Sequence, residues 1–405
     1  MPEMIAPKVL NFASILDDTT RAQANEISSL PFIHPHVALM PDAHAGRGSA
    51  VGTVIPTVDA VIPAAVGVDI GCGMIGVQTS LRATDIARFD LADLRGRIEK
   101  AIPLSPGNYN RSVLYSHTEA RIVELEQAAA EKGVDLSHSP KWREQLGSLG
   151  GGNHFIELCE QVGDEQGGDQ ATGSIWLFLH SGSRGVGNKI AQKHIKVAQK
   201  LCRRWHIQLD HPDLAYLASG TPEFGDYIRE LRWAQRFAFE NRAEMMDRFV
   251  TVFGEWLGGN AFRSPDSVEV RRINCHHNYT EKVEIAGRQV WLTRKGAIDA
   301  GAGVHGLIPG SMGTKSYVVR GLGNESGLFS APHGAGRRFS RTKAKKLFTL
   351  DDLAKAMTGI EYRHGTQWID EIPAAYKPID QIMEDARDLV EVEAVLTQLL
   401  NVKGV

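Results

Sequence analysis

The sequence predicts a protein that mixes α-helices with β-strands, and three observations lead to this class. Short apolar or alternating runs, which are typical of strands, occur near residues 51–55, 61–70, 74–78, 175–179 and 267–273. Longer amphipathic runs with helical spacing occur near residues 19–30, 83–102, 119–132, 188–205 and 222–257, and again in the tail, 370–405. No G-x-G-x-x-G opens a helix after a strand, and no glycine-rich loop has the Walker Lys-Ser/Thr ending, so neither nucleotide-binding fingerprint predicts the fold.

The composition is that of an ordinary globular chain, with 405 residues, 42% hydrophobic and 23% charged. A net charge of −3 excludes the strongly basic signature of many nucleic-acid-binding domains, although it is compatible with a local basic groove. The sequence contains no apolar run of about 18 residues, so no membrane span is predicted. The N-terminus lacks the basic-then-apolar layout of a secretory signal. The four cysteines show neither zinc-ribbon nor disulfide-framework spacing. We therefore expect a cytoplasmic protein without a membrane partner.

One glycine-rich stretch carries the first chemical signal. Residues 66–74 read Val-Gly-Val-Asp-Ile-Gly-Cys-Gly-Met and place Asp69 three residues before Cys72. A carboxylate with a thiolate suits Mn, Fe, Co or Zn better than Mg or Ca. The alternative is a small buried thiol beside a turn-capping aspartate, and this pair alone does not decide between them.

Four histidines in similar surroundings favour the metal. His154 follows a glycine-rich loop, His180 ends an apolar strand, His277 lies in Asn-Cys-His-His-Asn, and His333 lies in Pro-His-Gly-Ala-Gly. Adjacent side chains of a strand point to opposite faces, so at most one of His276 and His277 should reach a shared site. Together with the Asp-x-x-Cys pair, the set predicts two divalent ions that share a thiolate, an arrangement suited to phosphoryl chemistry.

Other segments predict contacts with phosphates. Ser-Gly-Ser-Arg at 181–184 and the Gly-Ser-Met-Gly-Thr-Lys loop at 310–315 combine hydroxyls, bare amides and cations. Residues 337–346 contain six basic side chains, which are either a solvated helix face or a contact for nucleic-acid phosphates. From the residues alone, the prediction is a dinuclear metalloenzyme acting on phosphates, and a transferase cannot be separated from a hydrolase.

A family resemblance adds to this pattern. The stretches at 40–48, 67–74, 152–157, 180–185, 276–278, 309–313 and 333–337 resemble, in order, the motifs of the RtcB family, over nearly the whole chain. The resemblance implies an α+β protein, a single mixed domain of RtcB-type topology over residues 1–405 with the active site in a central cleft. It also implies a GTP- and Mn²⁺-dependent RNA ligase that joins 3′-phosphate or 2′,3′-cyclic phosphate ends to 5′-hydroxyl ends, in tRNA splicing or RNA repair.

The resemblance also implies roles for individual residues. Cys72 would bridge two Mn²⁺ ions, one completed by Asp69 and His154 and the other by His180 and His277. His333 would be the nucleophile that takes GMP from GTP. Positions matching those that hold GMP are Asn153, Glu157, Ser311, Ala335, Gly336, Tyr376 and Lys403.

Four of these assignments are more specific. Glu157 and Lys403 would read the guanine edge, Arg184 would grip a phosphate, and Asp42 would assist the later RNA steps. The implied partners are GTP and RNA ends such as tRNA halves. The alternative function is a dinuclear-metal phosphoesterase or cyclic phosphodiesterase that uses the same metals without guanylylation of His333.

Overall fold

The computed structural model describes residues 2–112, 115–163, 172–258 and 268–404. Its α-helices are α1 (Asp18–Ser28), α2 (Pro63–Val66), α3 (Ala83–Ile86), α4 (Leu91–Ala101), α5 (Ser116–Lys132), α6 (Trp142–Gln145), α7 (Arg184–Arg204), α8 (Pro222–Trp256), α9 (Arg341–Leu347), α10 (Leu350–Ala356) and α11 (Ile379–Asp385). Short 3₁₀ helices span Pro212–Leu214, Thr366–Glu371 and Pro373–Ala375.

The strands are β1 (Glu3–Ala6), β2 (Val9–Asn11), β3 (Val37–His44), β4 (Val51–Thr57), β5 (Ala60–Val61), β6 (Gly73–Arg82), β7 (Phe155–Val162), β8 (Ser174–Ser181), β9 (Leu217–Ala218), β10 (Glu269–His276), β11 (Asn278–Ile285), β12 (Arg288–Lys295), β13 (Ala297–Asp299), β14 (His305–Pro309), β15 (Ser316–Gly321), β16 (Ser330–Pro332), β17 (Glu361–Tyr362) and β18 (Val390–Lys403). Helices and strands thus alternate irregularly along the chain, and the predicted α+β class is confirmed.

Two large sheets organise the described residues. The first has the order β1-β2-β3-β4-β12-β11, and the second has the order β10-β6-β8-β7-β18-β15-β14, with β17 added beside β18. Both are mostly antiparallel; β2 pairs with β3, and β17 with β18, in parallel. Two small sheets, β13-β16 and β5-β9, complete the architecture.

The hydrophobic core lies on both faces of the second sheet. Along β8, Trp176 and Phe178 point into a core shared with the first sheet, while Leu177 and Leu179 point into a second core under α4 and α8. This alternation is the two-residue period of a strand buried on both faces. The two large sheets share one core, and the prediction of a single domain over 1–405 stays a prediction.

The long helix predicted at 222–257 is confirmed as α8. Thr221 caps its N-terminus by accepting a hydrogen bond from the backbone N–H of Phe224 at 3.3 Å, and Pro222 occupies the first turn, where its missing N–H costs nothing. The predicted helix at 83–102 is instead two helices, α3 and α4. Asp90 separates them by capping α4 through the backbone N–H of Ala92.

Two predictions of local structure were wrong. The apolar run 61–70 is not one strand, because Pro63 starts the single turn of α2 directly after the short strand β5. The tail is not helical up to its end, because residues 390–403 form the long strand β18 between β7 and β15. As a central strand, β18 pairs with a neighbour on each side and packs its apolar residues into the cores on both faces of the sheet. These tertiary contacts outweigh the helical spacing of the segment.

Candidate active site

The predicted metal ligands lie where the strands of the second sheet end. Cys72 directly precedes β6, His154 directly precedes β7, and His180 lies at the end of β8. His277 lies between β10 and β11. Because β6 pairs with β8 and β10, and β8 pairs with β7, these neighbouring strands bring the ligand-bearing ends together on the same side of the sheet, where the strands end.

The five side chains form two groups of three that share Cys72. In each group the possible ligand atoms lie within 4.8 Å of one another: Asp69, Cys72 and His154 in one group, and Cys72, His180 and His277 in the other. The Cys72 Sγ lies 3.4 Å from His154 Nε2 and 3.2 Å from His180 Nε2. Cys72 and the three histidines are buried.

Hydrogen bonds on the far side of the rings fix the form of two histidines. The Nδ1–H of His180 donates to the carbonyl oxygen of Asn153 at 3.1 Å, and that of His277 donates to Oδ1 of Asn278 at 3.2 Å. The same Asn278 oxygen also accepts from the backbone N–H of Gly296 at 2.9 Å, which identifies it as an acceptor. With the proton on Nδ1, each Nε2 carries a lone pair.

Those two lone pairs face each other. The Nε2 atoms of His180 and His277 are only 2.9 Å apart, and burial lowers the pKa of both imidazoles well below their ordinary value. Two neutral acceptor atoms at this distance repel unless a cation lies with them. The oriented Nδ1–H groups are also the usual outer support of metal-binding histidines. This donor set therefore fits a divalent cation.

In the first group, the Asp69 carboxyl is held in its ionised form, which also suits a cation. Burial acts to raise the pKa of Asp69, but its hydrogen bond with His154 and the charge of Arg184 outweigh burial and hold that pKa at about 2. Burial, together with Asp69, raises the pKa of the Cys72 thiol in the protein alone. A bound divalent cation acts in the opposite sense and favours the thiolate.

The backbone of the His-Ser-Gly-Ser-Arg segment is shaped around Asp69. The backbone N–H of Ser183 donates to Asp69 Oδ1 at 2.9 Å. A Cβ on Gly182 would lie 2.3 Å from the same carboxylate oxygen, so only glycine lets the two segments approach. Arg184, at the start of α7, adopts a φ of +57°, which is unusual for a residue with a side chain. Its Nη1 lies 3.4 Å from His154 Nδ1.

His333 lies against the second group and against a buried carboxylate. Its ring centroid is 4.5 Å from that of His277, and its Nδ1 is 2.6 Å from Oδ2 of Asp42. The backbone N–H of His333 donates to the same oxygen at 3.2 Å, and Asp42 is fully buried. Gly336, at a φ of +67°, allows this approach, because a Cβ there would lie 2.2 Å from the Asp42 carbonyl oxygen.

One cavity is lined by all seven of the residues predicted to hold GMP. It is lined by Asn153, Glu157, His180, His277, Ser311, His333, Ala335, Gly336, Tyr376 and Lys403. Asp42 and Arg184 do not line it. Asp42 lies behind His333, and Arg184 lies beside the Asp69 group.

The lining of this cavity also includes ionisable side chains held by partners. Burial raises the pKa of Glu157 to about 8, and Asn401 donates to its carboxyl at 2.7 Å. Lys403 Nζ lies 3.0 Å from Oε2 of Glu371, which also accepts a hydrogen bond from the Tyr376 hydroxyl at 2.9 Å. The carboxyl groups of Glu157 and Glu371 and the ammonium of Lys403 therefore line the same cavity.

The basic run at 337–346 divides into two sets. Arg341 Nη1 lies 2.7 Å from carboxylate oxygens of both Asp370 and Glu371, and Lys345 Nζ lies 3.3 Å from Asp370. Arg337 is also within 3.4 Å of Glu371. The other three, Arg338, Lys343 and Lys346, are exposed and form no ion pair with a carboxylate of the described residues, whereas Arg341 and Lys345 are both exposed and paired. The predicted phosphate contact by this run stays a prediction, and half of the run is engaged by carboxylates of the protein itself.

Comparison with known proteins identifies the family. A family model described as "tRNA-splicing ligase RtcB" matches residues 23–404. The RNA-splicing ligase RtcB of Escherichia coli K12 is 44% identical over 396 residues, which are 95% of this chain and 94% of that protein. The chain belongs to the RtcB family. The resemblance predicted from the motifs is confirmed.

More distant RtcB relatives are similar over almost the same span. The tRNA-splicing ligase RtcB of Pyrobaculum aerophilum is 30% identical over 94% of this chain and 90% of its own length. A second RtcB protein of Escherichia coli ATCC 25922, RNA-splicing ligase RtcB2, is 31% identical over 89% of this chain. These relatives carry the names of RNA ligases. Within the described residues, no helix is both long and apolar enough to cross a membrane.

Several residues of this RtcB site carry no signal in the sequence that would single them out. Glu371 and Asn401 lie far from any motif and are brought to the cavity by the 3₁₀ helix at Thr366–Glu371 and by β18. The helical spacing at 222–257 predicts a helix and singles out no site residue, yet the buried face of α8 includes Asn241 and Arg242. The sequence signal that could have identified Asn241 and Arg242 was the presence of polar residues at positions of the helix that the apolar pattern predicts to be buried.

Proposed function

We propose that this protein is a GTP-dependent RNA ligase that joins 3′-phosphate or 2′,3′-cyclic phosphate ends to 5′-hydroxyl ends through GMP attached to His333. The observation that carries the proposal is the position of His333. One side of its ring contacts the buried Asp42 carboxylate at 2.6 Å, and the other side faces the cavity beside His277. A hydrolase that used the metal groups alone would have no need for this histidine.

Two Mn²⁺ ions would be held by the two groups of ligands. Asp69, Cys72 and His154 would hold one ion, and Cys72, His180 and His277 would hold the other. The facing lone pairs of His180 and His277 support this assignment. Bound divalent ions supply positive charge that stabilises phosphate oxygens in the transition state.

Asp42 would prepare His333 for attack. A carboxylate at Nδ1 favours the tautomer with the proton on that nitrogen, which leaves the Nε2 lone pair free as the nucleophile. Nε2 would form a bond to the α-phosphorus of GTP while the bond to the β-phosphate oxygen breaks, releasing pyrophosphate. In this proposal Asp42 acts already in the first step, earlier than the RNA steps that the family resemblance implies for it.

The remaining steps transfer and then release GMP. After any 2′,3′-cyclic phosphate has been opened, an oxygen of the RNA 3′-phosphate attacks the phosphorus attached to His333, and the imidazole leaves. The 5′-hydroxyl then attacks the RNA 3′-phosphorus, loses its proton and expels GMP. A bare phosphate dianion has no good leaving group, and GMP supplies one. Arg184, beside the Asp69 group, would neutralise phosphate charge.

The cavity residues would hold the nucleotide. Glu157 and Lys403 would bring a carboxyl and an ammonium, which interact electrostatically, to a guanine base that offers both donors and an acceptor. The other contacts to GMP are proposed for Asn153, Ser311, Ala335, Gly336 and Tyr376. The substrates would be RNA ends such as tRNA halves or cleaved RNA.

The test is transfer of radiolabel from α-³²P-GTP to the protein with Mn²⁺, followed by denaturing electrophoresis. We expect a labelled band for the wild type that is absent in His333→Ala. The matched control is His305→Ala, because His305 is half-exposed, pairs with Glu393 at 3.1 Å and does not line the cavity. It should label like the wild type.

The opposite result would favour the other function. An unlabelled wild-type protein that binds manganese and hydrolyses RNA 2′,3′-cyclic phosphate would contradict the ligase proposal and support the phosphoesterase. A label that persists in His333→Ala would show that a different residue carries GMP.

A further inference from the structure

The helix α8 passes beneath the metal-ligand segments and presents a fully buried guanidinium to them. Arg242 has no solvent exposure, and within the described residues its hydrogen-bonding partners are neutral groups rather than carboxylates. Burying a cation without a paired anion is costly, so an arginine here needs a reason beyond packing.

The partners of Arg242 lie within three residues of metal ligands in the chain. Its Nη1 donates to the carbonyl oxygens of Gly71 at 2.7 Å and Ser181 at 3.2 Å, which neighbour Cys72 and His180 in the chain. Its Nε donates to Oδ1 of Asn274 at 2.8 Å, three residues before His277. Its Nη2 lies 3.1 Å from Nδ1 of His276, the residue directly before that ligand.

The adjacent residue of α8 holds the remaining segment. Asn241 accepts a hydrogen bond from the backbone N–H of Gly147 at 2.7 Å and donates to the carbonyl oxygen of Gly182 at 3.1 Å. It thereby joins the loop that leads to His154 to the segment that follows His180. Two consecutive side chains of one helix thus tie together all the segments that carry the cysteine and histidine ligands.

We propose that Arg242 is a positioning residue that fixes Cys72, His180 and His277 relative to one another for the shared metal pair. The inference rests on the metal centre in the proposed function. The planar fork of a guanidinium can donate to several separate acceptors at fixed angles, which a lysine ammonium cannot reproduce. Its role is to hold ligand-bearing backbone, and it does not contact the reacting groups.

The test uses Co²⁺, which accepts the same nitrogen, sulfur and oxygen ligands and gives a near-ultraviolet thiolate-to-metal charge-transfer band together with visible ligand-field bands. The full-length protein is titrated with Co²⁺, and the stoichiometry, affinity and spectrum are compared for the wild type, Arg242→Met and Arg242→Lys. The control is Arg248→Lys. Arg248 is equally buried on α8 but pairs with Glu244 at 2.8 Å. It donates to the carbonyl oxygen of Gly147 at 3.3 Å, in the loop that leads to His154, and its hydrogen bonds do not reach the segments of Cys72, His180 and His277.

We expect Arg242→Met to lower cobalt affinity about 10–100-fold, the range for loss of groups that support metal ligands, with a weaker charge-transfer band. Arg242→Lys should fall between this variant and the wild type, because it keeps the charge but loses the fork. Arg248→Lys should bind cobalt like the wild type. If Arg242→Met does not fold, as judged by circular dichroism, Arg242→Lys decides the question.

Three outcomes overturn the inference. Wild-type affinity and spectrum in the folded Arg242 variants would show that the guanidinium does not position the ligands, while the metal centre itself would stand. An equal loss in Arg248→Lys would assign the effect to general destabilisation of α8. A wild-type protein that binds no cobalt would overturn the metal centre and this inference with it.

Discussion

The contact between Asp42 and His333 gives the sharpest prediction, which is the effect of Asp42→Asn on guanylylation. Oδ2 of Asp42 accepts from the backbone N–H of His333 and faces the ring Nδ1. In the variant, the backbone N–H keeps the amide oxygen at this position, so the ring still finds an acceptor and retains its tautomer. The substitution therefore removes the charge and preserves the geometry.

The size of the effect follows from the lost charge. As Nε2 bonds to phosphorus, positive charge develops on the imidazole, whose Nδ1 lies 2.6 Å from Oδ2 of Asp42, so the two delocalised charges are separated by about 4 Å. A full charge pair at about 4 Å is worth about 4 kcal/mol at an effective dielectric of about 20, so a half-developed charge is worth about 2 kcal/mol. This corresponds to a rate about 30-fold lower. Asp42→Ala also loses the acceptor and should be slower than Asp42→Asn.

The assay is the time course of label transfer from α-³²P-GTP at saturating nucleotide and Mn²⁺, with Asp226→Asn as the matched control. Asp226 lies on the surface at the start of α8, where its partner is Arg229. A wild-type rate for Asp42→Asn would refute the electrostatic reasoning. Equal rates for Asp42→Asn and Asp42→Ala would show that retention of the His333 tautomer does not affect the rate of guanylylation.

Three further predictions test other parts of the site. Cys72→Ala should abolish binding of both Mn²⁺ equivalents, measured by electron paramagnetic resonance, because both groups share the thiol, whereas Cys202→Ala in the helical core should bind both. Gly182→Ala should lose the Mn²⁺ of the Asp69 group and keep the other, because the new methyl group collides with that carboxylate; retention of both ions would contradict this. Burial raises the pKa of Glu157 to about 8, above the unfolded value of about 4.5, so the folded state holds a proton that the unfolded state has released between these pH values. The contribution of this residue to the free energy of unfolding therefore falls as pH rises from about 4.5 to 8. The melting temperature of Glu157→Gln should rise relative to that of the wild type as pH increases over that window.

The local motifs were sufficient to predict much of the site. The Asp-x-x-Cys pair and the glycine-flanked histidines were recognisable because small residues and ligand types stand together in the chain. Strand periodicity predicted that at most one of His276 and His277 reaches a shared site, and the family resemblance selected His277. In the structure His276 turns to Arg242 instead.

Other features depended on contacts between distant segments. The tail looked helical, but residues 390–403 form a strand because β7 and β15 offer it pairing on both sides. Asp42 could be recognised as a site residue, but its place behind His333 comes from the approach of the Gly336 loop to the end of β3. No local pattern contains that approach.

The sequence by itself determined the family, the types of ligand and the histidine proposed to carry GMP, because these depend on residue identity at short spacing. Only the tertiary structure decided how they are grouped. Cys72 belongs to both groups of ligands because β6 lies between β8 and β10, and α8 supplies Arg242 and Asn241 from a helix that reads as ordinary core. The contacts of Cys72 with His180 and of Gly71 with Arg242 join residues more than 100 positions apart, and only packing of the whole chain brings them within a few ångströms.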